Sequence, residues 1–488
     1  MKKAFPILIV FSLSLSAWAI VPPRHIADTA AYRRQLRLLH QETGLQAPAR
    51  EQAVGVRKTF PRVPVIMVSY ADMSYRVSRA DVDSMFNGVH FTKDGATGSV
   101  RQYFYDQSYG EYNPQFDIYG PVTVSQNYAH YANRGAELVL EACALMDDSL
   151  DFTLYDTDGN NTVDLTYCLF AGPPSSDGEY IDKTWISNPS NLLWPHYHVI
   201  TSAGSSGKQT VFDGKTIYDY EISNELDGMF SNATTTVMAG VGVACHEFGH
   251  GMGLPDIYDD QKPHKTSGEW DIMDYGCYNN NVHTPPAYSA YERWFMGWLE
   301  PTLINQAADV NLANINDGQC AAYITANGSA IANIFSPNPN VFYLLENRQN
   351  AGWDAAIPGH GLLITRVNYN YSKWTSNTVN ADANNLGIDI LEADGLTPSY
   401  SWSNPNNGYH GKPGDAYPTG STSFTQVTDY QVTEITEVDD VIRFKVNGGT
   451  PTGIEETNSS DTPRKILREG RVVILRGEKE YDILGRML

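Results

Sequence analysis

The sequence predicts an α+β domain followed by an all-β domain, which we expect to be sandwich-like. Up to about residue 299, apolar strand-like runs alternate with helical segments, an order that is typical of a mixed domain. From about residue 300 onward, short β-like runs are separated by loops rich in Gly, Pro and Asn, which is typical of a β-sandwich. The chain has 488 residues, more than one hydrophobic core usually spans, so two or three domains are expected.

The individual elements follow from local patterns. In the first domain, placed at residues 59–299, the segments are strands at 63–70 and 164–170 and helices near 99–104, at Gly135–Met146 and around Val241–Gly251. In the second domain, placed at residues 300–447, the β-like runs are 321–324, 341–345, 362–367 and Val441–Val446. The aromatic residues between 288 and 298 have near-helical spacing, so we expect them to pack in a core.

The N-terminus has the pattern of a secretory signal. Lys2 and Lys3 precede an apolar run at residues 7–15, and Ala17 and Ala19 provide the small-x-small pattern that signal peptidase accepts. We therefore expect cleavage after Ala19, and no later run is long enough to span a membrane. Residues 20–58 are polar and helix-prone; a removable pro-segment, which would make the protein a zymogen, is one interpretation and a simple N-terminal extension is the other.

Composition limits the classes of partner. The chain carries 34 basic and 56 acidic residues, a net charge of −22, which argues against a nucleic-acid partner because phosphate binding needs basic surface. The five cysteines are few and widely spaced, so neither a disulfide scaffold nor a cysteine zinc site is predicted. Export would permit one or two disulfide bridges, and the odd count leaves at least one thiol unpaired.

The segment that carries chemistry is His-Glu-Phe-Gly-His at residues 246–250. His246 and His250 are four residues apart, so on a helix they lie on one face and can bind one metal ion together. Glu247 lies beside them and can reach a water on that ion without being a ligand. Neutral imidazoles suit zinc, and a catalytic zinc site uses three protein ligands with one position open.

The third ligand is predicted from the residues that follow. Gly253 tolerates the left-handed conformation that a chain reversal after the helix needs. Asp256, three residues further on, can then return to the metal, and its spacing is more favourable than that of Asp259 or Asp260. Met273 lies in a downstream Trp-Asp-Ile-Met-Asp-Tyr-Gly segment, where a tight methionine turn beneath the zinc is typical of metzincin metalloproteases.

The string at residues 246–259 resembles the immune inhibitor A-type family of secreted bacterial metalloproteases, in which Asp stands where most metzincins have a third His. Segments at 98–104, 194–196, 296–299, 345–349 and 358–364 are also similar, so the resemblance covers residues 60–446. It implies a metzincin-like catalytic fold and one catalytic zinc ion. It also implies a water activated by zinc, Glu247 as general base and then general acid, and Tyr275 as a stabiliser of the intermediate. The alternative for Tyr275 is a packed aromatic residue of the turn.

An acidic loop offers a second metal hypothesis. Asp156, Asp158, Asn160 and Asp164 place oxygen atoms at alternate positions, as calcium loops do. The loop departs from an EF-hand because its sixth position is not Gly and its twelfth is not Glu. A calcium site of another shape is one interpretation, and a hydrogen-bonded turn before the next strand is the favoured one.

The C-terminal part divides into a linker at residues 448–463 and a tail at 464–488. The tail has seven basic and four acidic residues, a net charge of +3, and two strand-like runs at 472–475 and 481–485. It resembles the C-terminal sorting tails of type IX secretion cargo, which implies a partner in the secretion machinery and attachment at the cell surface. The alternative is a terminal hairpin with no such role.

Three functions are compatible with these patterns. The first is a secreted zinc endopeptidase acting on extracellular proteins or peptides. The second is a surface binding or adhesion protein whose metal site is vestigial, and the intact Glu247 argues against it. The third is a zinc hydrolase for a non-peptide bond, which the methionine turn at Met273 disfavours.

Overall fold

The computed structural model describes residues 58–178, 180–258, 264–318, 320–396 and 411–449. It also describes the backbone of short strands at residues 18–19, 464–468, 471–476 and 479–481. The predicted signal peptide, pro-segment and linker lie almost entirely outside the described residues, as do Asp259 and Asp260. None of the helices in the described part of the chain has both the length and the apolar character needed to cross a membrane.

The helices begin where the sequence offers caps and buried faces. Their bounds are α1 Arg79–Asn87, α2 Val100–Gln107, α3 Tyr128–Tyr131, α4 Gly135–Met146, α5 Val241–Gly251, α6 Ala290–Met296 and α7 Tyr371–Thr375. Ser78, Ser99 and Ser289 each accept a backbone N–H with their hydroxyl and so start α1, α2 and α6. The predicted helices at Gly135–Met146 and Val241–Gly251 are confirmed.

The first region is built on a mixed six-stranded sheet with the order β1-β5-β8-β4-β2-β3. Its strands are β1 Trp18–Ala19, β2 Arg62–Ser69, β3 Gln115–Thr123, β4 Thr166–Phe170, β5 His196–Val199 and β8 Asp219–Asn224. A small hairpin, β6 Val211–Phe212 with β7 Lys215–Thr216, stands apart. Strands β3, β2, β4 and β8 run parallel, whereas β5 pairs antiparallel with β8. Helix α5 packs on this sheet and contacts β5 and β8.

The second region contains two sheets, ordered β14-β13-β12-β11-β9 and β10-β16-β15. Its strands are β9 Thr302–Leu303, β10 Ala308–Leu312, β11 Ala321–Thr325, β12 Val341–Arg348, β13 Gly361–Asn368, β14 Ile388–Ile390, β15 Val432–Val438 and β16 Val441–Val446. All four predicted runs are strands, three of them slightly longer than predicted.

The tail contains three strands rather than two: β17 Arg464–Arg468, β18 Arg471–Arg476 and β19 Lys479–Tyr481. They form an antiparallel sheet in chain order. The predicted run at 472–475 lies within β18. The predicted run at 481–485 is described only at Tyr481, the last residue of β19.

The apolar core runs without interruption from the first region into the second. Phe248 of α5 shares one buried cluster with Phe342 and Leu344 of β12 and with Trp374 of α7. The opposite face of β12, represented by Leu345, packs against the three-stranded sheet. Because the second region also contains α7 and one face of its larger sheet is covered by the first region, the prediction of an all-β sandwich-like domain is not confirmed.

A buried arginine also links the two regions. Arg348 of β12 is fully buried and donates to Asp354 through Nε at 2.8 Å and through Nη2, and its Nη1 lies 3.2 Å from Glu346 Oε1. The same guanidinium donates to the carbonyl of Ala287 at 3.2 Å. Asp354 in turn accepts the backbone N–H of Ala287 at 2.9 Å. An ion pair between residues 346 and 348 therefore exists, and the network around it extends into the first region.

Candidate metal centre

Helix α5 carries three of the predicted site residues in a fully buried setting. All of its residues from Val241 to Gly251 are buried, so tertiary packing sustains a helix that three glycines would otherwise weaken. Gly242 allows α5 to lie close to the Cys277 backbone, because a Cβ at this position would be 2.0 Å from the carbonyl oxygen of Cys277. The helix is thereby fixed against the segment that follows the predicted methionine turn.

Two backbone carbonyls set the orientation of the imidazoles. His246 Nδ1 lies 2.7 Å from the carbonyl oxygen of Ile272, and His250 Nδ1 lies 2.9 Å from that of Leu254. Since a carbonyl only accepts, both Nδ1 atoms carry the proton, and both Nε2 atoms are left as lone-pair donors for a metal. These Nε2 atoms point at each other across 3.1 Å.

The chain reverses after α5 and brings Asp256 to the same point. The backbone of Gly253 has a positive φ of +107°, as predicted for the chain reversal. Asp256 Oδ1 lies 3.1 Å from His250 Nε2 and 3.4 Å from His246 Nε2. Ligand atoms of a tetrahedral zinc ion, at ~2.0–2.1 Å from the metal, lie roughly 3.3 Å apart. Asp256 Oδ1 is buried and has no hydrogen-bond partner among the described residues. The donor set and its spacing therefore fit a divalent metal of the zinc type.

The protonation states also suit metal binding. Burial alone would raise the pKa of Asp256, but His250 and His246 outweigh it and lower that pKa to about 2. Burial lowers the pKa of His250. An ionised carboxylate and neutral imidazoles are the forms that coordinate a metal.

Glu247 is placed beside the ligands by the neighbouring sheet. The backbone N–H of Tyr197 in β5 donates to Glu247 Oε2 at 2.8 Å, while the buried Oε1 has no hydrogen-bond partner among the described residues. Burial, reinforced by the Asp256 carboxylate, raises the pKa of Glu247 well above its usual range. A carboxylate held by one oxygen, with a raised pKa, is suited to accept a proton at the other.

Met273 and Tyr275 belong to the segment beneath α5. A Cβ on Gly249 would lie 2.9 Å from Met273 Sδ, so the thioether packs directly against the helix between the two histidines. The carbonyl of Met273 accepts the backbone N–H of Ile257 at 3.0 Å and so ties the turn to the Asp256 segment. Tyr275 is buried and packs with Tyr258.

Part of the chain is similar to a known protein family. Residues 190–299 match the family model for the immune inhibitor A peptidase M6 catalytic domain. This segment is similar to a peptidase M6 catalytic domain. It contains every residue of the metal centre described above, from Tyr197 in β5 to Tyr275, and a metallopeptidase family implies a metal.

Two similar proteins each match about half of the chain. Immune inhibitor A of Bacillus thuringiensis subsp. alesti is 26% identical over 303 residues, covering 51% of this chain and 41% of that protein. The pre-pro-metalloprotease PrtV of Vibrio cholerae serotype O1, strain M66-2, is 25% identical over 297 residues, covering 50% of this chain and 30% of that protein. The chain thus spans less than half the length of these relatives. PrtV is described as a metalloprotease.

The acidic loop at residues 156–164 forms a separate group of carboxylates. Carboxylate oxygens of Asp156, Asp158 and Asp164 lie within 4.8 Å of one another. Lys215 Nζ is 2.6 Å from Asp156 Oδ2, and loop N–H groups donate to these carboxylates, for example Asn160 N to Asp156 Oδ1 at 2.9 Å. The ammonium group of Lys215 and these hydrogen bonds agree with the favoured interpretation, which is a hydrogen-bonded turn. Calcium at this loop stays a prediction.

His196 has a structural role in the first region. Its Nδ1 lies 2.8 Å from the carbonyl oxygen of Trp194 and its Nε2 lies 3.0 Å from Tyr220 Oη, so both ring nitrogens are used by the protein. Burial lowers the pKa of His196 from 6.5 to about 3. The imidazole is therefore neutral in the folded state at physiological pH.

This histidine predicts an acid-sensitive contribution to stability. Below pH 6.5 the unfolded chain takes up a proton at His196 that the folded chain accepts only near pH 3, so stability is full above pH 6.5 and decreases as pH falls. Between pH 6.5 and 5 the loss is roughly 2 kcal/mol. Urea unfolding at both values would measure it. Between these two pH values, the free energy of unfolding of the His196→Gln variant should fall by less than that of wild type. In the control variant His360→Gln, at an exposed histidine, it should fall by as much as in wild type.

Sequence reasoning missed two groups that contact the residues of the candidate metal centre. The backbone N–H of Tyr197 orients Glu247, and no residue type signals a main-chain donor. The side chain of Asn377 bonds to Asp256 from 121 residues away in the sequence, beyond the reach of any local spacing rule. The proximity of both becomes visible only in the fold.

Proposed function

We propose that the chain is a secreted zinc-dependent endopeptidase that hydrolyses peptide bonds in extracellular proteins, with Glu247 as general base. The observation that carries the proposal is the convergence of three ligand atoms, from His246, His250 and Asp256, at separations of 3.1–3.4 Å beside a carboxylate held by one oxygen. The peptidase M6 match supports the reaction class.

The residues divide the chemistry among them. Zinc, when bound, supplies a Lewis acid that lowers the pKa of a water molecule to about 7 and polarises the scissile carbonyl. Glu247 Oε1 accepts the proton of the attacking water, while the Tyr197 N–H keeps Oε2 in place. The carboxylic acid so formed then donates the proton to the departing amine, which returns Glu247 to its starting state.

Met273 and Tyr275 have supporting roles in this proposal. The polarisable thioether of Met273 packs against α5 between the two histidines and helps to fix the position of the helix. We assign to the Tyr275 hydroxyl the stabilisation of negative charge on the carbonyl oxygen during attack. Its place in the turn two residues after Met273 is the support for this assignment.

The flanking segments define where the enzyme acts in this proposal. Residues 1–19 direct export and residues 20–58 form a removable pro-segment. The tail at 464–488 is a sorting signal that brings the protein to the secretion machinery and to the cell surface.

The test is cleavage of denatured casein and of an internally quenched peptide by the exported, matured protein. We expect internal cleavage, identified by mass spectrometry of the products, that a zinc chelator abolishes and added zinc restores. Protein that binds one zinc ion per chain but cleaves no member of a broad protein and peptide panel would overturn the proposal. The adhesion hypothesis would then lead, and cleavage of non-peptide esters or amides alone would favour the third function.

A further inference from the structure

The third metal ligand is held by a residue outside the matched catalytic domain. The backbone N–H of Asp256 donates to Asn377 Oδ1 at 2.7 Å, and Asn377 Nδ2 donates to Asp256 Oδ2 at 2.6 Å. The two hydrogen bonds close a ring between one side-chain amide and the main chain and side chain of one aspartate. Asn377 lies in the second region, 78 residues beyond the end of the family match at residue 299.

This ring separates the roles of the two carboxylate oxygens. Oδ2 of Asp256 is occupied by the amide of Asn377, whereas Oδ1 faces the imidazoles of His246 and His250 at 3.4 and 3.1 Å. The carboxylate can therefore offer a single oxygen to a metal. With two imidazoles this gives three protein ligands, which leaves the fourth position of a tetrahedral site for water or substrate.

Asparagine meets both hydrogen-bond requirements at this position. The N–H of Asp256 needs an acceptor and its carboxylate needs a donor, and a primary amide supplies one of each. The same requirement fixes the orientation of the amide group, because a backbone N–H cannot accept. Asn377 also has φ +53°, the left-handed region that asparagine tolerates better than most residues with a side chain.

The segment that carries Asn377 is itself anchored on the first region. Trp374 of α7 is buried and donates through Nε1 to Tyr291 Oη of α6 at 2.6 Å. On the other side, Asn380 Nδ2 donates to the carbonyl of Ile257 at 2.8 Å. Anchors three residues before and three residues after Asn377 fix its amide in the position that Asp256 requires.

We infer that Asn377 is a positioning residue for the metal, holding Asp256 as a one-oxygen ligand, so that the region after residue 300 completes the metal centre. The inference rests on the proposed metal-dependent function. It assigns to the second region a direct part in the active site, in addition to packing against it.

Zinc affinity tests this inference independently of peptidase activity. The variants are Asn377→Asp, which keeps the shape and the acceptor but places a second carboxylate against Asp256, and Asn377→Gly, which suits the left-handed backbone and removes the amide. Asn384→Ala, at an exposed asparagine of the same segment, is the matched control. Competition with a chromophoric chelator should show zinc binding weakened by about 10–100-fold in both Asn377 variants. The control should retain wild-type affinity.

A second measurement separates ligand geometry from general damage. The visible spectrum of the cobalt-substituted protein reports coordination number, and we expect it to change in Asn377→Gly and to stay unchanged in Asn384→Ala. Metal-free unfolding midpoints confirm that the variants fold. Wild-type zinc affinity and an unchanged cobalt spectrum in folded Asn377 variants would overturn the inference, as would a wild-type protein that binds no zinc. If the wild-type protein binds zinc, and the Asn377 variants bind it more weakly, but the wild type cleaves no substrate, the inference stands and only the proposed function is overturned.

Discussion

Replacing Glu247 with glutamine is expected to lower kcat/KM for peptide hydrolysis by about 10²–10⁴-fold, the usual contribution of a general base. The amide cannot accept the proton of the attacking water. Its oxygen can still accept the Tyr197 N–H, so the geometry at the site should persist. Because Glu247 is fully buried and its Oε1 has no hydrogen-bond partner among the described residues, removing its charge should not lower the unfolding midpoint.

The measurement pairs initial rates on an internally quenched peptide with zinc content determined by mass spectrometry. Glu111→Gln, the same change at an exposed glutamate, is the control and should keep wild-type rates and zinc content. A zinc-loaded Glu247→Gln protein that cleaves within ten-fold of wild type would remove Glu247 from the role of general base.

Replacing Arg348 with methionine is expected to lower the free energy of unfolding by about 3–5 kcal/mol, the range found when one partner of a buried ion pair is removed. Methionine has a similar length but leaves the carboxylates of Glu346 and Asp354 buried without their cation. The carbonyl of Ala287 loses a donor as well. Denaturant unfolding of the metal-free protein would measure the loss.

Arg366→Met provides the matched comparison. Arg366 lies on the adjacent strand β13 and pairs with Asp389 at 3.3 Å, but its side chain is 32% exposed. An ion pair that reaches water is worth about 0–1 kcal/mol, so we expect a loss of that size. Equal losses in the two variants would show that the buried network does not hold the regions together.

The part of the site that depends on short spacing could be predicted from the sequence. His246 and His250 lie one helical turn apart, and Gly253 allows the reversal that returns Asp256, so each step involves at most a few residues. Helix α5 has the predicted bounds, Val241–Gly251, although its burial on all sides comes from tertiary packing. The roles of Glu247 and Tyr275 in catalysis remain predictions that only activity measurements test.

The arrangement of the second region could not be predicted in the same way. The apolar run in β12 indicates a strand buried on both faces, yet the pattern does not say what covers each face. Phe342 and Leu344 pack against the first region, and Leu345 packs against the three-stranded sheet. The two faces of β12 therefore contact different parts of the protein. The contact between Asn377 and Asp256 was equally hidden, because it arises from tertiary packing across 121 residues.

The separation between Asp256 and Asn377 has a consequence for the order of events during biosynthesis. A chain that emerges N-terminus first at ~5–20 residues per second presents residue 377 roughly 6–24 s after residue 256. During that interval the histidine helix can form, but the aspartate lacks its amide partner. A nascent chain therefore holds an incomplete metal centre until most of its length has been made.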